Sequence, residues 1–290
     1  MKNFYLISTE HLENMLWFKD DEDYAVGMNH VAIQACLSAT VIILAFILMS
    51  NHVHFVVYGE YEDVLNFINR FKQRYSKYYQ KKYGVKEFLH RNGVHIELIP
   101  DGQETLRVFI AYVQMNCVGA RICAHPSQYP WGTGATFFSP SKYPGTRLDS
   151  LSGRAKRKLF HSMETDLPGS WTVDPRGFIM PECFVDVTKV EKCYGTPGRM
   201  NYFLNASSKA KVRLVAGDSG IPVFPDKTIL AALPNLCRSL FQKDSFASLQ
   251  KQEQVECARQ IRYRFSADPH QIARVCGTTY AEMANLLDSV

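Results

Sequence analysis

Two histidines stand two residues apart inside a continuous apolar, β-branched run, and their spacing is suited to chemistry. His52 and His54 lie in the segment 47–58, whose composition predicts a buried strand. Side chains at positions i and i+2 of a strand point to one face, so the two imidazoles would stand side by side. Each neutral imidazole offers one nitrogen lone pair, and the pair would therefore suit a divalent metal ion. On their spacing alone, they could equally hydrogen-bond to each other or to a nearby carbonyl.

A tyrosine and an asparagine four residues apart form a second candidate site. Apolar residues recur with helical spacing between 104 and 122, which predicts an amphipathic helix. Tyr112 and Asn116 would lie one turn apart on the flank of its buried face. A phenol and a carboxamide oxygen would then emerge together at the edge of the core. A lone tyrosine in such a place is more often an ordinary half-buried aromatic residue.

Basic residues gather in two places, although the net charge of the whole chain is only +5. One is a predicted helix at 61–83, where they alternate with aromatic residues, and the other is the run 154–158. Both stretches could follow a phosphate backbone, or could be solvated surfaces without a partner. The residues predicted to bind DNA are Arg70, Lys72, Arg74, Lys77, Lys81, Arg154, Lys156, Arg157 and Arg262.

The surrounding pattern predicts an α+β fold for the first part of the chain. Strands are predicted near 4–9, 41–48, 53–58 and 94–99, and helices near 21–38, 61–83 and 104–122. They would form a mostly antiparallel sheet with helices packed on it. The length predicts several units: a domain at 1–125, an irregular strap at 126–150, an extension of unknown role at 151–250, and a helical segment at 251–290.

The last segment has the pattern of a helix-turn-helix. Ala273 would let two helices approach, Gly277 would make the turn, and Met283 would pack back against the first helix. The second helix, about 278–288, would be a recognition helix, or the pair would be a plain helical hairpin. The preceding helix carries Arg259, Arg262 and Arg264, which could contact a DNA backbone.

Other features bear on the cellular compartment. The uncharged stretch 31–49 is long enough to suggest a membrane span, but polar and β-branched residues favour a helix end, a turn and a buried strand. The N-terminus lacks a signal-peptide profile. Eight cysteines show no Cys-x-x-Cys pairing, so neither a zinc site nor a disulfide framework is indicated. We expect a bacterial cytoplasmic, nucleoid-associated protein.

Four stretches in one order resemble the HUH single-tyrosine transposases, and most closely the REP-associated tyrosine transposases. The run 49–54, Met-Ser-Asn-His-Val-His, resembles their Met-Pro-Asn-His-Val-His string, with Ser50 in place of proline. The basic aromatic run 67–79 resembles a helix of the family. The run 112–120 resembles Tyr-Ile-His-x-Asn-Pro-Val-x-Ala, with Cys117 in place of proline, and 129–132 resembles the Tyr-x-Trp stretch that follows. The resemblance covers residues 1 to about 140.

The resemblance implies a ferredoxin-like HUH palm, followed here by a mainly helical C-terminal extension. It implies that His52, His54 and Asn116 hold Mg²⁺ or Mn²⁺, and that Tyr112 attacks a DNA phosphate to form a 5′-phosphotyrosine. The expected partner is single-stranded or hairpin DNA of the REP type, bound by a monomer or a homodimer.

Two other functions stay open on the sequence. One is a domesticated DNA-binding protein or repressor that keeps the fold without the chemistry. The other is a replication or relaxase nickase, which the downstream position of Tyr112 and the short chain disfavour.

Overall fold

The computed structural model describes residues 1–12, 15–90, 92–139, 145–207, 225–265, 267 and 269–288 of the 290-residue chain. The expectations that fall on residues 140–144 of the strap and 208–224 of the extension lie outside these ranges.

A four-stranded antiparallel sheet organises the first domain. Its strands are β1 (Asn3–Thr9), β2 (Ile42–Met49), β3 (His52–Gly59) and β4 (Val94–Leu98), in the order β2-β3-β1-β4. Helix α1 (Asp21–Leu37) connects β1 to β2, and helix α2 (Tyr61–Tyr83) connects β3 to β4. This βαββαβ order is that of a ferredoxin-like fold. The α+β prediction is confirmed, and the predicted ends of these six elements agree with the structure to within one residue.

The uncharged stretch 31–49 divides between two elements. Helix α1 ends at Leu37, where the Ser38 N–H donates to the Gln34 carbonyl, and β2 begins at Ile42. In the described part of the chain, no helix combines the length and the apolar character needed to cross a membrane.

The two faces of the sheet are covered by different helices. Phe67 of α2 packs on Phe55, while Tyr112 of helix α3 (Gln103–Gln114) contacts the opposite face. The prediction of one helix over 104–122 is wrong, because α3 stops at Met115 and a short helix α4 (Asn116–Gly119) follows. The Asn116 amide donates to carbonyls of the last turn of α3, which a continuous helix would use for backbone N–H groups.

The middle of the chain packs on the first domain. It contains β5 (Thr146–Arg147), α5 (Gly153–Phe160), β6 (Thr172–Val173), α6 (Val187–Tyr194) and α7 (Pro197–Ala206). Phe160 packs with Ile33 of α1, and Phe203 joins the core beneath α3. The segment 145–206 therefore wraps the palm, whereas the proposed domain boundaries stay a prediction.

The C-terminal extension has a hydrophobic core of its own. Its helices are α8 (Asp226–Phe241), α9 (Lys251–Phe265), α10 (Pro269–Cys276) and α11 (Tyr280–Asp288). Helices α10 and α11 meet around buried Ala273 and Met283, and Gly277 makes the turn with a φ of +68°. Helix α11 begins at Tyr280 rather than 278, because Thr279 and Glu282 form a reciprocal capping pair.

Arg264 attaches this extension to the palm. Its guanidinium is buried, with Nη2 2.6 Å from Asp21 Oδ1 and Nη1 donating to the Lys19 carbonyl at 3.0 Å. The expectation that Arg264 contacts a DNA backbone is therefore wrong, since its donors are used inside the protein. Leu16, just before α1, completes the contact by entering the core of the extension.

His30 of α1 makes the stability of the fold depend on pH. The imidazole is fully buried, Nε2 donates to the Phe160 carbonyl at 3.0 Å, and burial lowers its pKa to about 3. Between about pH 6.5 and 3, the unfolded chain binds a proton that the folded chain does not. We expect the free energy of unfolding to fall by about 1.4 kcal/mol for each unit that the pH is lowered through this window.

Denaturant unfolding at several pH values measures this slope. His30→Gln keeps a donor for the Phe160 carbonyl but has no titrating group at this position. The slope of its free energy of unfolding against pH should therefore be smaller by about 1.4 kcal/mol per pH unit. The exposed His90, changed to Gln, serves as the control and should retain the slope. An identical slope in His30→Gln would contradict the assignment.

Candidate active site

The two histidines lie at the start of β3, on the sheet face that α3 covers. His52 pairs with Met49 and His54 with Ile47 of β2, while Ser8 of β1 lies opposite His54 on the other side. The imidazole centroids are 4.8 Å apart and the rings are nearly perpendicular, at 81°. Both side chains are buried. The strand geometry thus brings the two rings together, as their spacing predicts.

Each imidazole is oriented by a polar neighbour at its Nδ1 atom. Asn51 Oδ1 lies 2.7 Å from His52 Nδ1, and Ser8 Oγ lies 2.8 Å from His54 Nδ1. An amide oxygen only accepts, so His52 carries its proton on Nδ1 and its lone pair on Nε2. The Ser8 hydroxyl can accept a hydrogen bond from His54 Nδ1–H in the same way. Such hydrogen bonds commonly hold metal-binding histidines in one tautomer.

Tyr112 stands beside this pair. Its ring meets His54 edge-on, with centroids 5.8 Å apart and an interplanar angle of 74°. The side chain is half-buried, and burial, followed by the negative charge of Glu97, raises the pKa of the phenol. Tyr112 is therefore a neutral phenol at neutral pH, and attack by its oxygen would require removal of the proton.

Asn116 follows Tyr112 by one turn, at the break between α3 and α4. Its Nδ2 donates to the Tyr112 carbonyl at 2.9 Å and to the Val113 carbonyl at 3.2 Å. Within the described ranges, no donor bonds to its Oδ1, so this oxygen is available as a ligand. The break in the helix thereby orients the side chain.

The donor set fits a divalent ion only if Asn116 takes part. Among the described residues, no three His, Cys, Asp or Glu side chains are grouped so that they could hold a metal. Two imidazole nitrogens and one amide oxygen would supply three neutral ligands and leave places for phosphate and water. The tautomer that Asn51 selects supports this fit, because it puts the His52 lone pair on Nε2.

Three residues of the site were not identified from the sequence. His11 stacks on His52 with ring centroids 3.9 Å apart, and Ser8 and Asn51 hold the two Nδ1 atoms. Asn51 adjoins the histidine motif and could have been found there. His11 and Ser8 reach the site only through the pairing of β1 with β3, for which no local pattern gives a signal.

The predicted basic face of α2 is only partly present. Arg70, Lys77 and Lys81 are exposed, and the first two line a groove of about 520 Å³ beside the helix. Lys72 is buried, and its Nζ donates to the Asn92 carbonyl, so the prediction that it lies on the exposed face is wrong. Arg74 is partly buried and donates to Ser162 Oγ at 3.0 Å.

The second basic run lies on a helix. Arg154, Lys156 and Arg157 lie on α5, which Ser152 caps at its N-terminus and which buries Phe160 against the palm. Arg154 and Arg157 are exposed, and Lys156 is half-buried. On α9, Arg262 is exposed. DNA binding by these residues stays a prediction.

Comparison with known proteins supports the resemblance seen in the motifs. Residues 17–116 match the model of a family described as "Transposase IS200 like", and this range includes the histidine pair, the tyrosine and the asparagine. No curated protein matches the chain. A solved structure of a REP-associated tyrosine transposase bound to a REP hairpin is 13% identical and has a TM-score of 0.34, with 59% of this chain and 93% of that chain covered. The family match confirms the resemblance to single-tyrosine transposases for residues 17–116.

Proposed function

We propose that this chain nicks and rejoins single-stranded DNA beside a hairpin, with Tyr112 as the nucleophile. The observation that supports the proposal is the edge contact between the Tyr112 and His54 rings, because it brings a phenol next to two adjacent imidazoles. The Tyr112 oxygen would attack the scissile phosphorus while the bond from phosphorus to the 3′ oxygen breaks. The phenol loses its proton and the leaving 3′ oxygen gains one. The 5′-phosphotyrosine link keeps the energy of the broken bond, so a 3′-OH can reverse the step without ATP.

The residues that would hold Mg²⁺ or Mn²⁺ are His52, His54 and Asn116. When bound there, the ion would supply Lewis-acid polarisation of the scissile phosphate. Asn51 and Ser8 keep the two imidazoles in a fixed orientation, and the half-buried position of Tyr112 limits the directions from which its oxygen can attack.

The exposed basic residues would supply the DNA contacts. Arg70, Lys77 and Lys81 of α2, with Arg154 and Arg157 of α5, are candidates for a hairpin-binding surface. Charge on these residues would hold the duplex stem by its phosphates without reading its sequence.

A labelled hairpin oligonucleotide with a single-stranded flank tests the proposal. We expect a covalent protein–DNA band on a denaturing gel with Mn²⁺ and none with EDTA. Tight binding without a band under Mg²⁺ or Mn²⁺ would overturn the proposal of catalysis.

A non-catalytic DNA-binding protein is the second candidate function. It is favoured by the raised pKa of Tyr112 and by the lack of any carboxylate in the proposed ligand set. Such a protein would bind the same hairpin with the same affinity whether or not the metal is present.

His54→Ala is expected to reduce adduct formation at least about 100-fold, because one of three ligands is lost. Isothermal titration calorimetry should show weaker Mn²⁺ binding, a readout that does not depend on cleavage. The control is His95→Ala on β4, which removes an exposed imidazole from the residue that pairs with Ser8. Equal Mn²⁺ affinity in the two variants would contradict the metal assignment.

A further inference from the structure

A cleft of about 570 Å³ opens between the palm and the C-terminal extension. The segment 121–124, just after α4, forms one wall. The other wall consists of Arg259, Gln260 and Arg262 of α9, with Leu287 of α11. The cleft is separate from the histidine pair, yet its first wall begins five residues after Asn116.

Arginine side chains give the cleft a positive charge. Arg121, Arg259 and Arg262 line it, and none of the described residues that line it is acidic. The guanidinium of Arg259 lies 3.9 Å from Glu256, at the outer limit of an ion pair. In the part of the chain that is described, the side chains of Arg121 and Arg262 form no ion pair or hydrogen bond. Three guanidinium groups around one cavity provide a site for an anion, and their planar donors match phosphate oxygens.

The backbone at Arg121 is unusual for an arginine. Its φ of +56° lies in the left-handed region, where glycine is favoured at the end of a helix. The Ile122 N–H donates to the Cys117 carbonyl at 2.9 Å, so the chain turns back on α4 at this residue. The turn directs the chain into the cleft wall.

We propose that this cleft binds the sugar-phosphate backbone of the single strand that continues from the scissile phosphate at Tyr112; the proposal rests on the proposed function. A cavity of this volume can hold a ligand the size of one or two nucleotides, and a duplex is too wide to enter it. Arginine planes can also stack on unpaired bases. The extension would then contribute to the active site through α9 rather than through the helix-turn-helix alone.

The test measures binding of the full chain in EDTA, so that cleavage plays no part. The probes are a fluorescein-labelled oligothymidylate of about 20 nucleotides and a duplex of the same length, titrated between about 50 and 200 mM salt. The variants are Arg121→Gly, which suits the left-handed backbone and should leave the melting temperature equal or higher, and Arg262→Gln. The matched control is Lys251→Gln, which removes one charge from the exposed start of the same helix α9.

We expect Arg121→Gly and Arg262→Gln each to weaken single-strand binding about tenfold. Each should also reduce the slope of log affinity against log salt by about 0.7, the value for one phosphate contact on a single strand. Lys251→Gln should change neither quantity. Equal affinities in all three variants, or a loss confined to the duplex probe, would overturn the proposal.

The adduct assay separates this proposal from the proposed function. Suppose that Arg121→Gly weakens single-strand binding but that neither the wild type nor any variant forms an adduct. That result would support the cleft proposal and contradict the catalytic proposal. If the protein forms the adduct and Arg121→Gly binds the single strand as well as the wild type does, the catalytic proposal is supported and the cleft proposal is contradicted. A wild-type chain that does not bind the single strand would overturn the cleft.

Discussion

Tyr112→Phe is expected to abolish the covalent protein–DNA adduct and to leave DNA affinity nearly unchanged. Phenylalanine keeps the ring that packs edge-on against His54 but lacks the oxygen that would bond to phosphorus. Mn²⁺ binding should also be retained, because the three proposed ligands are untouched. A denaturing gel with labelled hairpin DNA measures the adduct, and calorimetry measures the metal.

Tyr58→Phe is the matched control for this change. Tyr58 lies on the same strand as the histidines and on the same face of the sheet as His54, but outside the pair. It should form the adduct at the wild-type rate. An adduct that persists in Tyr112→Phe would show that another residue is the nucleophile.

Asp23→Ala is expected to produce the largest loss of stability, about 3–5 kcal/mol. The Asp23 carboxylate is fully buried and accepts hydrogen bonds from the Lys19 N–H and from the hydroxyls of Tyr78 and Tyr83, while Lys82 Nζ lies 2.8 Å away. Its removal leaves the Tyr78 hydroxyl without its acceptor and takes the buried carboxylate from Lys82, which keeps Asp20 and Glu22. Urea unfolding of wild type and variant measures the change.

Glu22→Gln is the control, because Glu22 contacts the same ammonium group. Its oxygen lies 2.9 Å from Lys82 Nζ, but 54% of the side chain is exposed. Water screens this pair, so its loss should destabilise the protein by less than about 1 kcal/mol. Comparable losses in the two variants would contradict the assignment of the stability to the buried carboxylate.

The elements that position the site could be predicted because their signals are local. A continuous apolar, β-branched run predicts β3 and a helical period predicts α2. The i, i+2 rule then puts His52 and His54 on one face without any knowledge of the tertiary structure. The same rule for helices put Asn116 one turn beyond Tyr112. Its role in ending α3 was not visible, because an amphipathic pattern runs through the break.

The rest depends on contacts between distant parts of the chain. Lys72 and Arg264 are residue types that usually lie on the surface. Each is buried here and bonded to a partner that no local sequence pattern specifies. His11 reaches His52 only once β1 has paired with β3. Counting the basic residues along a helix therefore overestimates how many are exposed. The reverse holds for the cleft, whose three arginines come from two segments more than 130 residues apart and form no single cluster in the sequence.

The segment before α1 links two parts of the molecule. Leu16 lies in the core of the extension, while the Leu12 and Trp17 amides donate to the carbonyls of Asn51 and Ser50, in the turn that leads to His52. Opening of the extension would release Leu16 and loosen both amides. A single strand bound in the arginine cleft should therefore slow the exchange of these two amide protons with deuterium. Binding on the far side of α4 would then stabilise the turn beside the histidines.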